Sequence, residues 1–237
     1  MTVTTPSQEQ QLVLQACRGL AANGLGPSIG GHVSVRVPGE ERYWTNRLSR
    51  TFEEMQLDDI VLLDFEGRSV DPDVVVSPGI GFHHGIYGLR PDVGAIVHTH
   101  GYWVTAQSAF GREPRMLHNM STYFHGRTAI APDDEIDAIA PAMKDGDVAI
   151  IIPWHGAITL GATIAEAAGL HVTFDYACRL DVSLSGDKEV PTMPDDHAEA
   201  VQKLLTKANY LQLAWDLMVR KGERCYDGQV VVPAPAA

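Results

Sequence analysis

Two apolar runs that each end in histidine constrain this chain more than any other feature. The first, Val93-Gly94-Ala95-Ile96-Val97, leads into His98-Thr99-His100, and the second, Val148-Ala149-Ile150-Ile151-Ile152, is followed by His155-Gly156. Short apolar runs of this kind read as buried strands. Alternate side chains of a strand share a face, so His98 and His100 emerge together where the first strand meets a loop. Two imidazoles held this way chelate a borderline divalent metal such as zinc, manganese or iron, and His155 offers a third nitrogen. Three neutral ligands leave coordination positions open to a substrate. The pattern points to a lyase or hydrolase rather than a binding module.

Composition narrows the field by exclusion. The formal net charge is −12 and no basic stripe occurs, which argues against nucleic acid and anionic membrane surfaces as partners. The three cysteines, Cys17, Cys178 and Cys225, are isolated in sequence, so neither a disulfide framework nor a thiolate zinc site is expected. That usage fits a reducing compartment, and the first residues lack the basic and apolar regions of a secretion signal. No apolar stretch is long enough to span a bilayer. A cytoplasmic protein is the expectation. With 237 residues, 45% of them hydrophobic, the chain can bury a sizeable core.

Helical and strand patterns interleave along the chain, without repeats or linkers. Ser7 is placed to cap a helix carrying Leu12, Val13, Ala16 and Leu20 on one side, with Gln10 at the capping-box position and Asn23-Gly24 as the stop. A glycine-rich turn, Gly26-Pro27-Ser28-Ile29-Gly30-Gly31, then feeds an alternating strand over His32 to Arg36. Strands are expected at Arg42 to Thr45 and Ile60 to Asp64, with a short helix near Phe52 to Met55 and a hairpin turn at Asp64 to Arg68. Further helices are expected over Pro78 to Leu89, after His100 with Trp103, Ala106 and Ala109 on one side, and over Asp133 to Lys144. Two longer ones are expected over Thr163 to Leu184 and from Asp195 through about Val219. Residues 1–7 and 227–237 read as tails around a single domain over 8–226.

The ordered segments Gly31-His32-Val33-Ser34-Val35-Arg36, Phe82-His83 with Tyr87, Arg90-Pro91-Asp92, Ile96-Val97-His98-Thr99-His100 and His155-Gly156 resemble the class II aldolase/adducin family. HxH alone is a weak signal; the ordered set is a strong one. The resemblance implies a single-domain α/β/α sandwich around a mostly antiparallel central sheet. It also implies assembly as a C4 tetramer or other homo-oligomer with active sites between subunits. His98, His100 and His155 become metal ligands by motif match, for one divalent ion per subunit, manganese or zinc, with iron or cobalt as alternatives.

Two departures from the family pattern matter. Where the aldolases carry a glutamate that ligates metal or shuttles protons, this chain has Gly79 within Ser77-Pro78-Gly79. Residues of the phosphate pocket are also replaced, by His32 and Pro78, while Trp44, Arg47 and Arg50 stand nearby in sequence. Guanidinium groups suit bidentate capture of a carboxylate. The expected reaction is therefore decarboxylation of a hydroxylated benzene or pyridine dicarboxylate through an enolate-like state, as in the decarboxylase branch of the family. His32, Trp44, Arg47, Arg50 and Ser77 are the candidate substrate-binding residues. His83, His84, His125 and Tyr123 are the candidate proton donors, histidine being suited by its pKa of about 6.5. The alternatives are an aldolase or epimerase of a small sugar phosphate, an iron-dependent oxygenase, and a non-catalytic adducin-like interaction module.

Overall fold

The computed structural model describes residues 7–26, 30–186 and 190–226. Seven strands form one sheet: β1 (His32–Arg36), β2 (Arg42–Asn46), β3 (Ile60–Asp64), β4 (Ala95–Thr99), β5 (Thr128–Ile130), β6 (Ala149–Ile152) and β7 (Gly156–Gly161). Their order across the sheet is β3-β2-β1-β4-β7-β6-β5. Every pair is antiparallel except β5 with β6. This is the mostly antiparallel α/β arrangement the sequence resemblance implied.

Among the described residues seven α-helices cover the sheet: α1 (Gln8–Ala22), α2 (Gly81–Leu89), α3 (Tyr102–Ser108), α4 (Ile136–Ala142), α5 (Ile164–Ser183), α6 (Asp195–Lys207) and α7 (Tyr210–Tyr226). The two faces carry different cores, and β4 shows the division. Ala95 and Val97 pack with Val13 and Leu20 of α1, Ala167 of α5 and Trp215 of α7. Ile96, one step along, packs with Phe82 and Ile86 of α2 and Ile139 of α4. Both faces are covered, so the central strands are apolar throughout rather than alternating.

The same parity divides the end of β4. The Thr99 hydroxyl meets His171 of α5, whereas the His98 ring packs edge-on against Phe82 of α2. Arg90 grips Asp92 through two hydrogen bonds of 2.8 and 2.7 Å and donates to the carbonyls of Lys144 and Asp147. It thereby fixes the turn that delivers the chain into β4.

Several elements depart from the sequence expectation. Ser7 Oγ does accept from the Gln10 amide, but the Gln10 side chain donates to Leu57 and Ile60 carbonyls instead of closing a capping box. Phe52 to Met55 is a turn whose two apolar residues bury in the core, and the helical turn lies later, at Leu57–Asp59. The buried face of α3 is Val104, Gln107 and Ser108, not the alanines. The α4 helix is shorter than its apolar pattern, starting only at Ile136. The expected last helix is two, divided at Ala208 and Asn209. The α6 half is held by Tyr123 Oη donating to the Leu205 carbonyl and Gln202 Nε2 donating to Thr122 and His125 carbonyls. The α7 half packs instead on α1, with Gly222 against Gly19. Strands β5 and β7 were not expected. Residues 27–29 of the glycine-rich turn, residues 1–6 and residues 227–237 lie outside the described residues.

Candidate metal centre

Strand β4 presents His98 at its penultimate position, and His100 follows one residue past its end. His155 sits in the tight turn between β6 and β7, its amide donating to the Ile152 carbonyl. Because β7 pairs with β4, placing Ala157 opposite Thr99, this turn is brought over the end of β4. Gly156 makes that approach feasible: a Cβ there would lie 2.5 Å from the Thr99 carbonyl oxygen and 3.2 Å from the His100 ring.

The three rings converge through Nε2. His98 Nε2 lies 2.9 Å from His100 Nε2, which lies 2.8 Å from His155 Nε2. These separations are close to the roughly 3 Å expected for imidazole nitrogens sharing one zinc ion. His98 Nδ1 is 3.0 Å from the Ala157 carbonyl, which can only accept, so that nitrogen carries the hydrogen and Nε2 keeps its lone pair for a cation. Burial holds His98 well below the ordinary imidazole pKa, and burial followed by the proximity of His155 lowers His100. Both stay neutral near pH 7, as ligands must. His98 is fully buried, while His100 and His155 are half-exposed, so the cluster opens on one side. By donor type, number and geometry these residues fit a divalent metal.

A second tier of polar groups stands behind the cluster. The His32 ring packs 4.7 Å from that of His98, and its Nδ1 lies 2.6 Å from His83 Nε2. His83 Nδ1 lies 2.6 Å from Ser34 Oγ, which is 2.7 Å from Tyr87 Oη. This chain is buried along its length. His32 Nε2 points toward Gly79, whose Cβ position would be 3.5 Å away. Ser77 heads the single-turn helix Pro78–Ile80 that carries Gly79, so it lies close to the same spot.

The other expected site residues go elsewhere. His83 is wholly buried behind His32 and cannot reach a substrate directly. His84, its neighbour on α2, turns toward β2, where Nδ1 lies 3.3 Å from Tyr43 Oη. Tyr123 is buried and bonded to α6. His125 lines a cleft with Arg112, Arg115 and Asp195 that includes none of the three converging histidines. Trp44 packs into the core on the α1 side of the sheet, because strand parity turns it away from Tyr43 and the α2 face. Arg50 Nε lies 3.0 Å from the buried carboxylate of Asp59, and Arg47 Nε lies 3.9 Å from it. These two guanidiniums serve an internal anion rather than a free one.

Two residues near the cluster escaped the sequence reading. Trp154, just before His155, is 81% exposed with a left-handed backbone (φ 59°), a conformation a bulky residue rarely adopts. Asp134 brings a carboxylate oxygen to within 2.8 Å of the Cβ position of Gly79. Strain leaves no mark in a sequence, and Asp134 lies in the run Asp133-Asp134-Glu135, which reads as ordinary acidic residues before a helix.

Comparison with known proteins decides the family. The model of the class II aldolase and adducin N-terminal domain matches residues 11–182. The chain belongs to the class II aldolase and adducin family. Among curated relatives of this family member, the 5-methylthioribulose-1-phosphate/5-deoxyribulose-1-phosphate aldolase of Rhodospirillum rubrum is 29% identical over 208 residues, covering 85% of this chain and 93% of that protein. The decarboxylase NovR of Streptomyces niveus is 26% identical over 165 residues, covering 65% and 61%. Among solved structures, the L-fuculose 1-phosphate aldolase from Glaciozyma antarctica PI12 superposes with a TM-score of 0.84 at 24% identity, covering 95% of this chain and 93% of that one. That likeness establishes the fold: one α/β domain of the class II aldolase type. No helix among the described residues is long and apolar enough to cross a membrane.

Proposed function

We propose that this class II aldolase-family protein is a divalent-metal-dependent carbon–carbon lyase that removes a carboxylate from a hydroxylated benzene or pyridine dicarboxylate. The observation that carries the metal is the convergence of three Nε2 atoms, with the His98 tautomer set by the Ala157 carbonyl. His98, His100 and His155 would hold one ion per subunit, manganese or zinc, with iron or cobalt as alternatives. Such an ion supplies Lewis-acid stabilisation of an oxyanion beside the breaking bond.

That stabilisation serves aldol cleavage and decarboxylation alike. Position 79 favours the second. Where the family resemblance implies a glutamate that ligates metal or shuttles protons, Gly79 has no side chain, so the group the aldol reaction relies on is missing at this position. With Trp44 packed against the core, the exposed indole of Trp154, next to His155 in sequence, is the aromatic surface offered to a ring substrate. Arg47 and Arg50 face the buried Asp59 carboxylate and leave the substrate carboxylate to other groups. A relative named as a decarboxylase supports the reading. The protein is proposed to work in the cytoplasm as a homo-oligomer with sites between subunits.

The test is release of carbon dioxide from a panel of hydroxylated phthalates and pyridine dicarboxylates, with and without chelator. Release that chelation abolishes is the expected result, with His98→Ala and His155→Ala losing bound metal and turnover together. A metal-loaded protein silent on the whole panel would overturn the decarboxylase assignment. The second reading, a sugar-phosphate aldolase, is favoured by the relative from Rhodospirillum rubrum, which matches more of the chain. It predicts aldol cleavage inhibited by inorganic phosphate.

A further inference from the structure

The loop between β5 and α4 carries a carboxylate to the histidine cluster from a part of the chain with no motif of its own. A Cβ on Gly79 would lie 2.8 Å from Asp134 Oδ2 and 3.5 Å from His32 Nε2. The first distance is inside van der Waals contact, so Asp134 fills the volume that any side chain at 79 would need. The second sets that volume against the ring that packs on His98. Asp134 also lies close enough to His100 for its charge to act on that ring.

Asp134 stands beside the cluster yet outside the ligand set, because the group whose donor atoms lie within 4.8 Å of one another contains the three histidines alone. Among the described residues nothing hydrogen-bonds or ion-pairs with the half-buried Asp134 side chain. Its neighbour Asp133 is instead occupied by the Glu135 amide. A carboxylate left unengaged, aimed at the bare Gly79 and close to His32 and His100, has the placement of an acid–base group.

We infer that Asp134 is the catalytic acid–base residue of this centre, and that Gly79 stays bare to admit it. The inference rests on the lyase reading above. The Asp134 carboxylate takes the proton of the ring hydroxyl beside the departing carboxylate and delivers it to the ring carbon that bears that carboxylate. The bond to the carboxylate then breaks, its electron pair returns to the ring, and carbon dioxide leaves. The ring oxygen recovers a proton from solvent. One proton is taken up, one carbon dioxide is released, and nothing is oxidised or reduced.

The experiment compares wild type, Asp134→Asn, Asp134→Glu and Gly79→Ala for carbon dioxide release from the same panel and for cobalt(II) binding followed by its visible absorption. Asp134→Asn should lower kcat by about 100-fold or more while KM and cobalt(II) affinity stay within about threefold. Asp134→Glu should recover at least about tenfold of that loss. Gly79→Ala, which displaces the carboxylate without deleting it, should lower kcat about tenfold and covers the case in which the Asn variant misfolds. A kcat for Asp134→Asn within about threefold of wild type overturns the assignment, as does a fall of about 30-fold or more in cobalt(II) affinity, which would make Asp134 a ligand. Wild-type protein that binds cobalt(II) but releases no carbon dioxide overturns the decarboxylase reading and the assignment with it. Activity kept by Asp134→Asn overturns the assignment alone.

Discussion

His171 of α5 lies fully buried between its helix and the sheet, with Nε2 2.7 Å from Thr99 Oγ1 and Nδ1 2.9 Å from Thr159 Oγ1. The Thr159 hydroxyl spends its hydrogen on the Ala167 carbonyl, so Nδ1 of the neutral ring donates to Thr159 and Nε2 accepts from Thr99. Burial lowers the His171 pKa to about 3. In the unfolded chain the ring takes up a proton near pH 6.5. As pH falls below that value the unfolded state binds a proton the native state refuses, so stability is lost with acid, down to about pH 3. Between about pH 7.5 and pH 5 the loss from this one ring is about 2 kcal/mol. His32, His83 and His98 are shifted the same way, by burial first, so a pH profile of the wild type alone does not isolate His171. The variant His171→Gln does. It should cost about 1–3 kcal/mol at neutral pH by disturbing the threonine hydroxyls, and it cannot titrate. The stability of wild type relative to the variant should therefore fall by about 2 kcal/mol from about pH 7.5 to pH 5. Urea unfolding followed by far-ultraviolet circular dichroism, with chelator present throughout, measures that difference at each pH. Equal differences at the two pH values would refute a neutral buried ring.

Gly156→Ala should destabilise the protein by about 1–3 kcal/mol and weaken cobalt(II) binding, because the added methyl strikes the Thr99 carbonyl and presses on His100. Thermal unfolding and metal titration unchanged from wild type would contradict the packing of the His155 turn. Arg50→Ala should lower stability by about 2 kcal/mol by leaving the buried carboxylate of Asp59 short of a partner, with KM unmoved; a raised KM and normal stability would return Arg50 to the substrate. The wholly buried Asp181 carboxylate is ion-paired with both Arg112 and Arg115, so Asp181→Asn should cost about 3 kcal/mol in urea unfolding, and a loss near zero would show that these pairs do not hold the segment in place.

The local elements that depend on near neighbours were readable before any fold was known. The Ser7 cap, the apolar run of β4 and the long α5 helix follow from hydrogen-bonding side chains and periodicity a few residues apart. The break between α6 and α7 was not readable, since neither Ala208 nor Asn209 is a helix breaker of the glycine or proline kind. It arises because α6 and α7 bind different partners, the 119–124 segment and α1. The expected pocket residues Trp44, Arg47 and Arg50 were grouped by closeness in sequence. Strand parity sends Trp44 to the opposite face, and a buried Asp59 claims both arginines. His83 and His84 are adjacent on a helix and so diverge by about 100°, one toward His32 and the other toward Tyr43.

Sequence alone determined that His98 and His100 leave one strand end together, because the apolar run before them fixes β4 and the two imidazoles are two residues apart at its end. The tertiary structure decided which charges that cluster meets. Asp134 arrives across the sheet through the β5–α4 connection, and only the missing side chain at Gly79 lets it in. A Coulomb interaction depends on distance in space, and the separation of residues along a chain carries no record of it.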